Sequence, residues 1–140
     1  MKKAGILNPL LISEISKLGH KDIFVISDAG LPIPEDVKRI DFAIAPNLPR
    51  FLEMLEVILQ EIIVEKVVFA REILERNKET YKKALELLGR YQKHLDFKQD
   101  VILVFHEEFK REYVAKAKFV VRTGEFTPYS NIALICGVPF

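Results

Sequence analysis

Strand-like and helix-like patterns alternate along the 140 residues, which predicts an α/β fold. The expected form is a three-layer α/β/α single domain, residues 1–140, around a mostly parallel mixed sheet of about six strands. Two further observations support this class. The run Ile23-Phe24-Val25-Ile26-Ser27 and the run Val101-Ile102-Leu103-Val104-Phe105 are nearly continuous in apolar residues, as strands covered on both faces are. Hydrophobic residues make up 49% of the chain and charged residues 29%, so a substantial core and a well-solvated surface can coexist. No repeat, low-complexity segment or interdomain linker interrupts the pattern.

Each element has a local reason. Asn8-Pro9 opens a helix, with Asn8 as N-cap and Pro9 at the first helical position. Leu11, Ile15 and Leu18 share its apolar face, and Gly19 is its expected stop. His20 then follows a helix end, where orphan carbonyls favour an imidazolium. Residues 23–27 form the first strand and residues 40–45, partly alternating, the second. After Pro46-Asn47-Leu48-Pro49, residues 51–59 read as a helix apolar enough to lie deep in the subunit or against a neighbour. β-branched residues at 62–69 suggest a third strand. Residues 71–93 carry Tyr81, Ala84, Leu85, Leu88 and Tyr91 at helical spacing. Residues 101–105 form a buried strand, a short helix with Phe109 and Tyr113 follows, and strands near 118–123 and 131–136 complete the sheet.

Composition narrows the function. The formal net charge of +1 builds no positive field for nucleic acid. No apolar run approaches the ~18 residues of a membrane span. Lys2 and Lys3 imitate the charged end of a signal peptide, but Asn8, Pro9 and Glu14 interrupt any apolar stretch, so a cytoplasmic protein is expected. Cys136 lies in an apolar run and reads as a buried core thiol. The six glycines are isolated, so no phosphate-binding loop is present, and there is no Gly-x-Ser-x-Gly elbow or Cys-x-x-Cys pair.

The chemistry-bearing residues cluster at strand ends. Asp28 follows the strand at 23–27 and His106 the strand at 101–105, so both should emerge at the carboxyl edge of a parallel sheet. Tyr129, Ser130 and Asn131 lie in a turn before the last strand. Carboxylate, imidazole, phenol and amide together mix donors and acceptors, as the many hydroxyls of a sugar require. Few fixed positive charges accompany them, which argues against a phosphorylated substrate. His20 has an ionisable imidazole able to give and take a proton near neutrality.

Plainer roles exist for each. His20 could cap the first helix, Asp28 could close an Asx-turn, and His106 could serve only the helix that follows. Tyr129 and Asn131 could be turn residues, and Asp22 reads as a strand start. His94 reads as a solvated charge at a helix end. His20, His106 and Asp28 could also form a two-histidine, one-carboxylate metal set, although no local ligand spacing supports one. No metal and no cofactor are therefore expected.

Longer motifs add a resemblance. Lys17-Leu18-Gly19-His20-Lys21-Asp22, Ser27-Asp28-Ala29-Gly30-Leu31-Pro32-Ile33-Pro34 and Arg39-Ile40-Asp41 begin it. Gln92-Lys93-His94, His106-Glu107-Glu108-Phe109-Lys110, Arg122-Thr123-Gly124-Glu125, Pro128-Tyr129-Ser130-Asn131-Ile132 and Gly137-Val138 extend it to the end. Together they resemble the ribose pyranase and fucose mutarotase superfamily over the whole chain. Gly30-Leu31-Pro32-Ile33-Pro34 looks like the ribose branch, because fucose mutarotases typically carry a bulkier His-Phe-Pro pattern there.

The resemblance implies a cofactor-independent isomerase that exchanges β-D-ribopyranose and β-D-ribofuranose and supplies furanose for ribose catabolism. It implies His20 as the catalytic acid/base, sugar binding by Asp28, His106, Tyr129 and Asn131, and a backbone contribution from Ser130. Fucose-type anomer exchange and noncatalytic sugar binding remain as alternatives. Self-association into ring-shaped oligomers, described as decamers, is also implied. One geometric tension follows: eight residues at ~3.3 Å each could place His20 and Asp28 up to about 26 Å apart, on opposite sheet edges. Either the chain bends sharply at His20 or neighbouring subunits share a site, with helix 51–59 supplying interface area.

Overall fold

The computed structural model describes all residues, Met1–Phe140. Six strands form one sheet: β1 (Ile23–Ser27), β2 (Arg39–Asp41), β3 (Val64–Ala70), β4 (Val101–Val104), β5 (Val120–Arg122) and β6 (Ile132–Cys136). Their spatial order is β2-β5-β1-β6-β3-β4. β1 and β2 pair parallel with β5, and β3 pairs parallel with β4, while β6 runs antiparallel to both β1 and β3. The sheet is thus mixed and mostly parallel.

Alternation along the strands divides the core in two. Phe24, Ile26, Val121, Ile132, Leu134, Val67 and Phe69 pack on one face. That face meets α1 (Pro9–Ser16), α2 (Phe51–Leu59) and α4 (Lys78–Tyr91) through Leu11, Ile15, Leu55, Ile58, Ala84 and Leu88. Val25, Val68, Ala70, Val120 and Ala133 point to the opposite face, covered by Phe109, Val114, Leu31 and Val37. Burying such side chains is worth ~1.5–3 kcal/mol each, which makes this two-sided core the main stabilising feature.

Topology then positions the loops. The parallel strands deliver residues 28–34 and 105–109 to one edge. β6 runs the other way, so its beginning meets the end of β1, with Ile132 opposite Ile26. Residues 129–131 therefore arrive at that same edge.

Several elements differ from the sequence expectation. α1 ends at Ser16 with Lys17 as C-cap, well before Gly19, and the left-handed residue of the connection is Lys21, with φ 68°. The second strand stops at Asp41, whose side chain accepts the Ala43 N–H at 3.0 Å and turns the chain out of the sheet. The helix expected over 71–93 divides into α3 (Ile73–Arg76) and α4 at Asn77, whose ψ of 52° breaks the helical path. A short α5 (Phe97–Asp100), capped by Asp96 through the Lys98 N–H, was not foreshadowed by the apolar pattern. The segment after β4 is one turn, α6 (His106–Glu108), running into a π-helical stretch at Phe109–Val114. α2 matches its expected span, but Phe51, Leu55, Ile58 and Leu59 all pack into the subunit's own core, leaving Val57 as its exposed aliphatic residue. No helix is long and apolar enough to cross a membrane.

Candidate functional site

A cavity of about 640 Å³ opens at the edge where β1 ends and β6 begins. Asp28, His106, Tyr129 and Asn131 line it, so four of the six expected site residues meet there. Asp28 and Asn131 form its fixed base. The Asp28 N–H donates to Asn131 Oδ1 at 2.9 Å, and Asn131 Nδ2 donates back to Asp28 Oδ2 at 3.2 Å. The other carboxylate oxygen accepts the Gly30 N–H at 3.0 Å, which is the Asx-turn. Asp28 thus has its structural role and still faces the cavity. Burial pushes its carboxyl above the ordinary aspartate range, while the Gly30 and Leu31 amides, Asn131 and nearby His106 pull the other way.

The opposite wall is aromatic. The rings of His106 and Tyr129 meet edge to face at 5.2 Å, and Phe109 stacks on His106 at 6.5 Å. The His106 backbone N–H donates to both Glu72 oxygens at 3.1 Å, which fixes the start of the helical turn. Its Nδ1 is buried without a hydrogen-bond partner, a costly state that points to a functional role. Tyr129 has φ 61°, a left-handed backbone that a bulky residue holds at a cost of ~1–3 kcal/mol. Ser130 is fully buried and does not line the cavity; its hydroxyl accepts from Asn77 Nδ2 at 2.9 Å. Asn77 Nδ2 also donates to the Pro128 carbonyl at 3.0 Å, so the residue that breaks the α3–α4 helix anchors the Tyr129 turn.

The Thr123-Gly124-Glu125 motif is scaffold for this edge. Thr123 Oγ1 donates to the Ser27 carbonyl at 2.7 Å, and the Ala29 N–H donates to the Glu125 carbonyl at 2.9 Å. A Cβ on Gly124 would lie 2.4 Å from the Leu48 carbonyl oxygen and 2.6 Å from that of Ala45, so only glycine fits. The Glu125 carboxylate takes Arg50 in a two-pronged pair at 2.8 and 3.1 Å and accepts the first amide of α2, Phe51 N–H, at 3.2 Å. Burial works against its charge, but Arg50, Thr127 and the Phe51 amide prevail and hold it below the ordinary range.

Two guanidinium groups, Arg76 and Arg122, also line the cavity, which corrects the expectation of little positive charge there. Arg122 is engaged, donating to the Ala29 carbonyl at 3.1 Å and to Asp41 at 3.0 Å. Arg76 makes no ion pair. Arg122 belongs to the Arg122-Thr123-Gly124-Glu125 motif, whereas Arg76 lies in an unremarkable charged helix and carries no sequence signal.

His20 is elsewhere. It precedes β1, near the start of β3 and the end of β6, and its Nε2 lies 2.8 Å from Glu65 Oε2. The length of β1, ~13 Å at 3.3 Å per step, separates it from the Asp28 edge. It caps no helix, and it does not join Asp28 and His106 as a metal set; no cluster of three ligating side chains is present. Asp22, read as a strand start, also fixes the turn by accepting the Gly19 N–H at 2.8 Å. His94 is tied down, with Nε2 2.6 Å from the Val64 carbonyl oxygen. Cys136 is the buried thiol expected, its pKa pushed up to about 12 by burial first and by Asp22 and Glu65 second.

Known proteins match this arrangement closely. The RbsD / FucU transport protein family profile matches residues 1–139. D-ribose pyranases from Bacillus cytotoxicus and Haemophilus influenzae are 46% and 44% identical to the chain, each covering 100% of both sequences. The structure of Bacillus subtilis RbsD complexed with D-ribose is similar at TM-score 0.88 and 44% identity over 100% of both chains. A fucose mutarotase from Streptococcus pneumoniae, solved with L-fucose, shares the fold at TM-score 0.80 and 23% identity over 96% of this chain and 95% of its own. With the motifs, the sheet order and these full-length matches in agreement, the chain belongs to the RbsD/FucU family.

Proposed function

We propose that this protein is a cofactor-independent isomerase that interconverts β-D-ribopyranose and β-D-ribofuranose. The observation that carries the reading is the cavity itself, where a locked Asp28–Asn131 pair faces the His106–Tyr129 wall. Such a set matches a polyhydroxylated ring, and the relatives named D-ribose pyranase supply the reaction class.

In the reaction, an acid protonates the ring oxygen as the C1–O5 bond breaks, and a base removes the anomeric hydroxyl proton to leave the aldehyde. After rotation, the C4 hydroxyl adds to C1 and loses its proton, while the aldehyde oxygen gains one. Protons balance, and no redox step or covalent enzyme intermediate is needed. His20 is the proton carrier in this reading, worth ~10²–10⁴-fold. Asp28, His106, Tyr129 and Asn131 hold the hydroxyls, and Ser130 contributes to sugar binding through its backbone.

The position of His20 on the other sheet edge supports a site shared between subunits of a homo-oligomer, in which one chain's His20 meets its neighbour's Asp28 cavity. A ring such as a decamer satisfies that arrangement. The same reading places the reaction in the cytoplasm, where the unpaired thiol of Cys136 is at home.

Saturation-transfer NMR on equilibrated D-ribose tests the activity. Faster pyranose–furanose exchange with protein, unchanged by EDTA, is the expected result. No acceleration with ribose but acceleration of L-fucose anomer exchange would replace the assignment. Mixing His20→Ala and Asp28→Ala proteins through dissociation and reassembly tests the shared site. Recovered exchange is expected, because some interfaces then pair an intact His20 with an intact Asp28. A crystal structure with sugar contacted by one chain alone would rule sharing out.

A further inference from the structure

We infer that Glu65 is a positioning residue for His20: its carboxylate holds the imidazole by Nε2 and leaves Nδ1 to exchange the proton with substrate. The inference rests on the acid/base reading of His20 given above. The contact is 2.8 Å, with the His20 side chain 48% and the Glu65 side chain 33% exposed. A surface ion pair of that exposure is usually worth little for stability, so its interest lies in geometry.

Three backbone features converge on the pair. The first is a break in the β3–β6 ladder. Val64 pairs with Cys136 and Lys66 with Ile135, so Glu65 is the extra residue of a bulge, without a partner across the ladder. Bulges re-aim a side chain, and they are common beside active sites. The second is Gly137. A Cβ there would lie 3.2 Å from Ile63 Cγ2 and 3.4 Å from Glu65 Cβ, so the missing side chain gives the bulge its room. The third is the turn carrying His20. Lys21 has φ 68°, its N–H donates to the Cys136 carbonyl at 2.8 Å, and the Gly19 N–H donates to Asp22 at 2.8 Å. His20 is thereby fixed from both sides of its backbone, against the strand end that borders the Glu65 bulge. An ordinary surface pair between long side chains requires none of this.

The chemical consequence concerns which nitrogen reacts. A carboxylate accepts and does not donate, so Nε2 keeps its hydrogen on this bond. Nδ1 is then the atom that takes a proton from a sugar hydroxyl and returns it to the ring oxygen. The same pair restricts ring rotation, which positions Nδ1 before substrate arrives.

The test uses the full-length protein with 15N-labelled histidines, wild type and Glu65→Ala, about 1.5 pH units above the ordinary histidine pKa of ~6.5. A His20 Nε2–H signal protected from water exchange is expected in the wild type, lost in Glu65→Ala. D-ribose exchange in the same samples should fall about tenfold in kcat with KM little changed. Glu65→Gln should restore most of it, because an amide oxygen can accept the same hydrogen bond. An identical His20 signal in Glu65→Ala, or wild-type kcat in that variant, overturns the inference. A wild-type protein inactive on ribose defeats the isomerase reading instead, and the His20 signal still decides the Glu65 contact.

Discussion

The two edges of the sheet are built in different ways. At the Asp28 edge, polar groups are buried and cross-braced: Asp28 and Asn131 bond each other twice, Asn77 anchors the Tyr129 turn, and Glu125 ties the Ala29 loop to α2. At the His20 edge, a single half-exposed imidazole rests on one half-exposed carboxylate. The difference teaches where each function can be placed. Recognising a ring of hydroxyls needs many groups in register, which a buried network supplies. Carrying a proton needs one accessible group, which a turn can present to a neighbouring molecule.

The contrast predicts how each edge fails. His20→Ala gives the largest effect, a loss of ribose exchange of about 10²–10⁴-fold by saturation transfer. The same variant should keep the wild-type urea midpoint, because the side chain buries little and supports no other element. A large loss of stability would break the contrast. Asn131→Ala should do the reverse in kind. It leaves the buried Asp28 N–H without its partner and takes the Asn131 donor from one carboxylate oxygen, while the Gly30 N–H keeps the other, costing ~1–3 kcal/mol in urea unfolding and raising KM.

The smallest effect is in the acid range, and there the two buried carboxylates of one edge oppose each other. Glu125 has its folded pKa lowered, so its contribution is present above the unfolded value of ~4.3 and is lost as pH falls through the depressed folded value. Asp28 has its folded pKa raised, so its contribution is full below the unfolded ~3.9 and is lost as pH rises through the raised value. Urea midpoints against pH should therefore lose acid sensitivity in Glu125→Gln. In Asp28→Ala the rise with pH just above pH ~4 should steepen. Identical slopes in all three proteins would show that neither carboxylate is set apart by its surroundings.

Much of this was legible in residue order. Continuous apolar runs located β1 and β4, although β4 lies at the sheet edge and is half-buried, with Phe105 exposed, instead of covered on both faces as its run suggested. Asn8-Pro9 located the start of α1, and the apolar stretch after Pro49 marked the span of α2. The motifs named Asp28, His106, Tyr129 and Asn131, and the cavity contains all four. The misses have local causes. Asn77 carries no obvious helix-breaking signature, yet its amide is engaged by Pro128 and Ser130, residues more than fifty positions away. Gly19 suggested a helix stop, but the left-handed residue is Lys21, held by the Cys136 carbonyl. Glu65 and Arg76 sit in charged, featureless contexts where no pattern separates them from solvated neighbours.

The sequence by itself determined the α/β class, the approximate strand count and the residue types able to grip a sugar, because periodicity and strand-end chemistry are local properties. Only the tertiary structure decided that β6 runs antiparallel, and hence that Tyr129 and Asn131 reach the edge where β1 delivers Asp28. It also decided that His20 leaves that edge for a bulge on β3. Both follow from strand pairing, which joins residues distant in sequence through backbone hydrogen bonds common to every residue type, so register and direction leave little mark on the side-chain pattern.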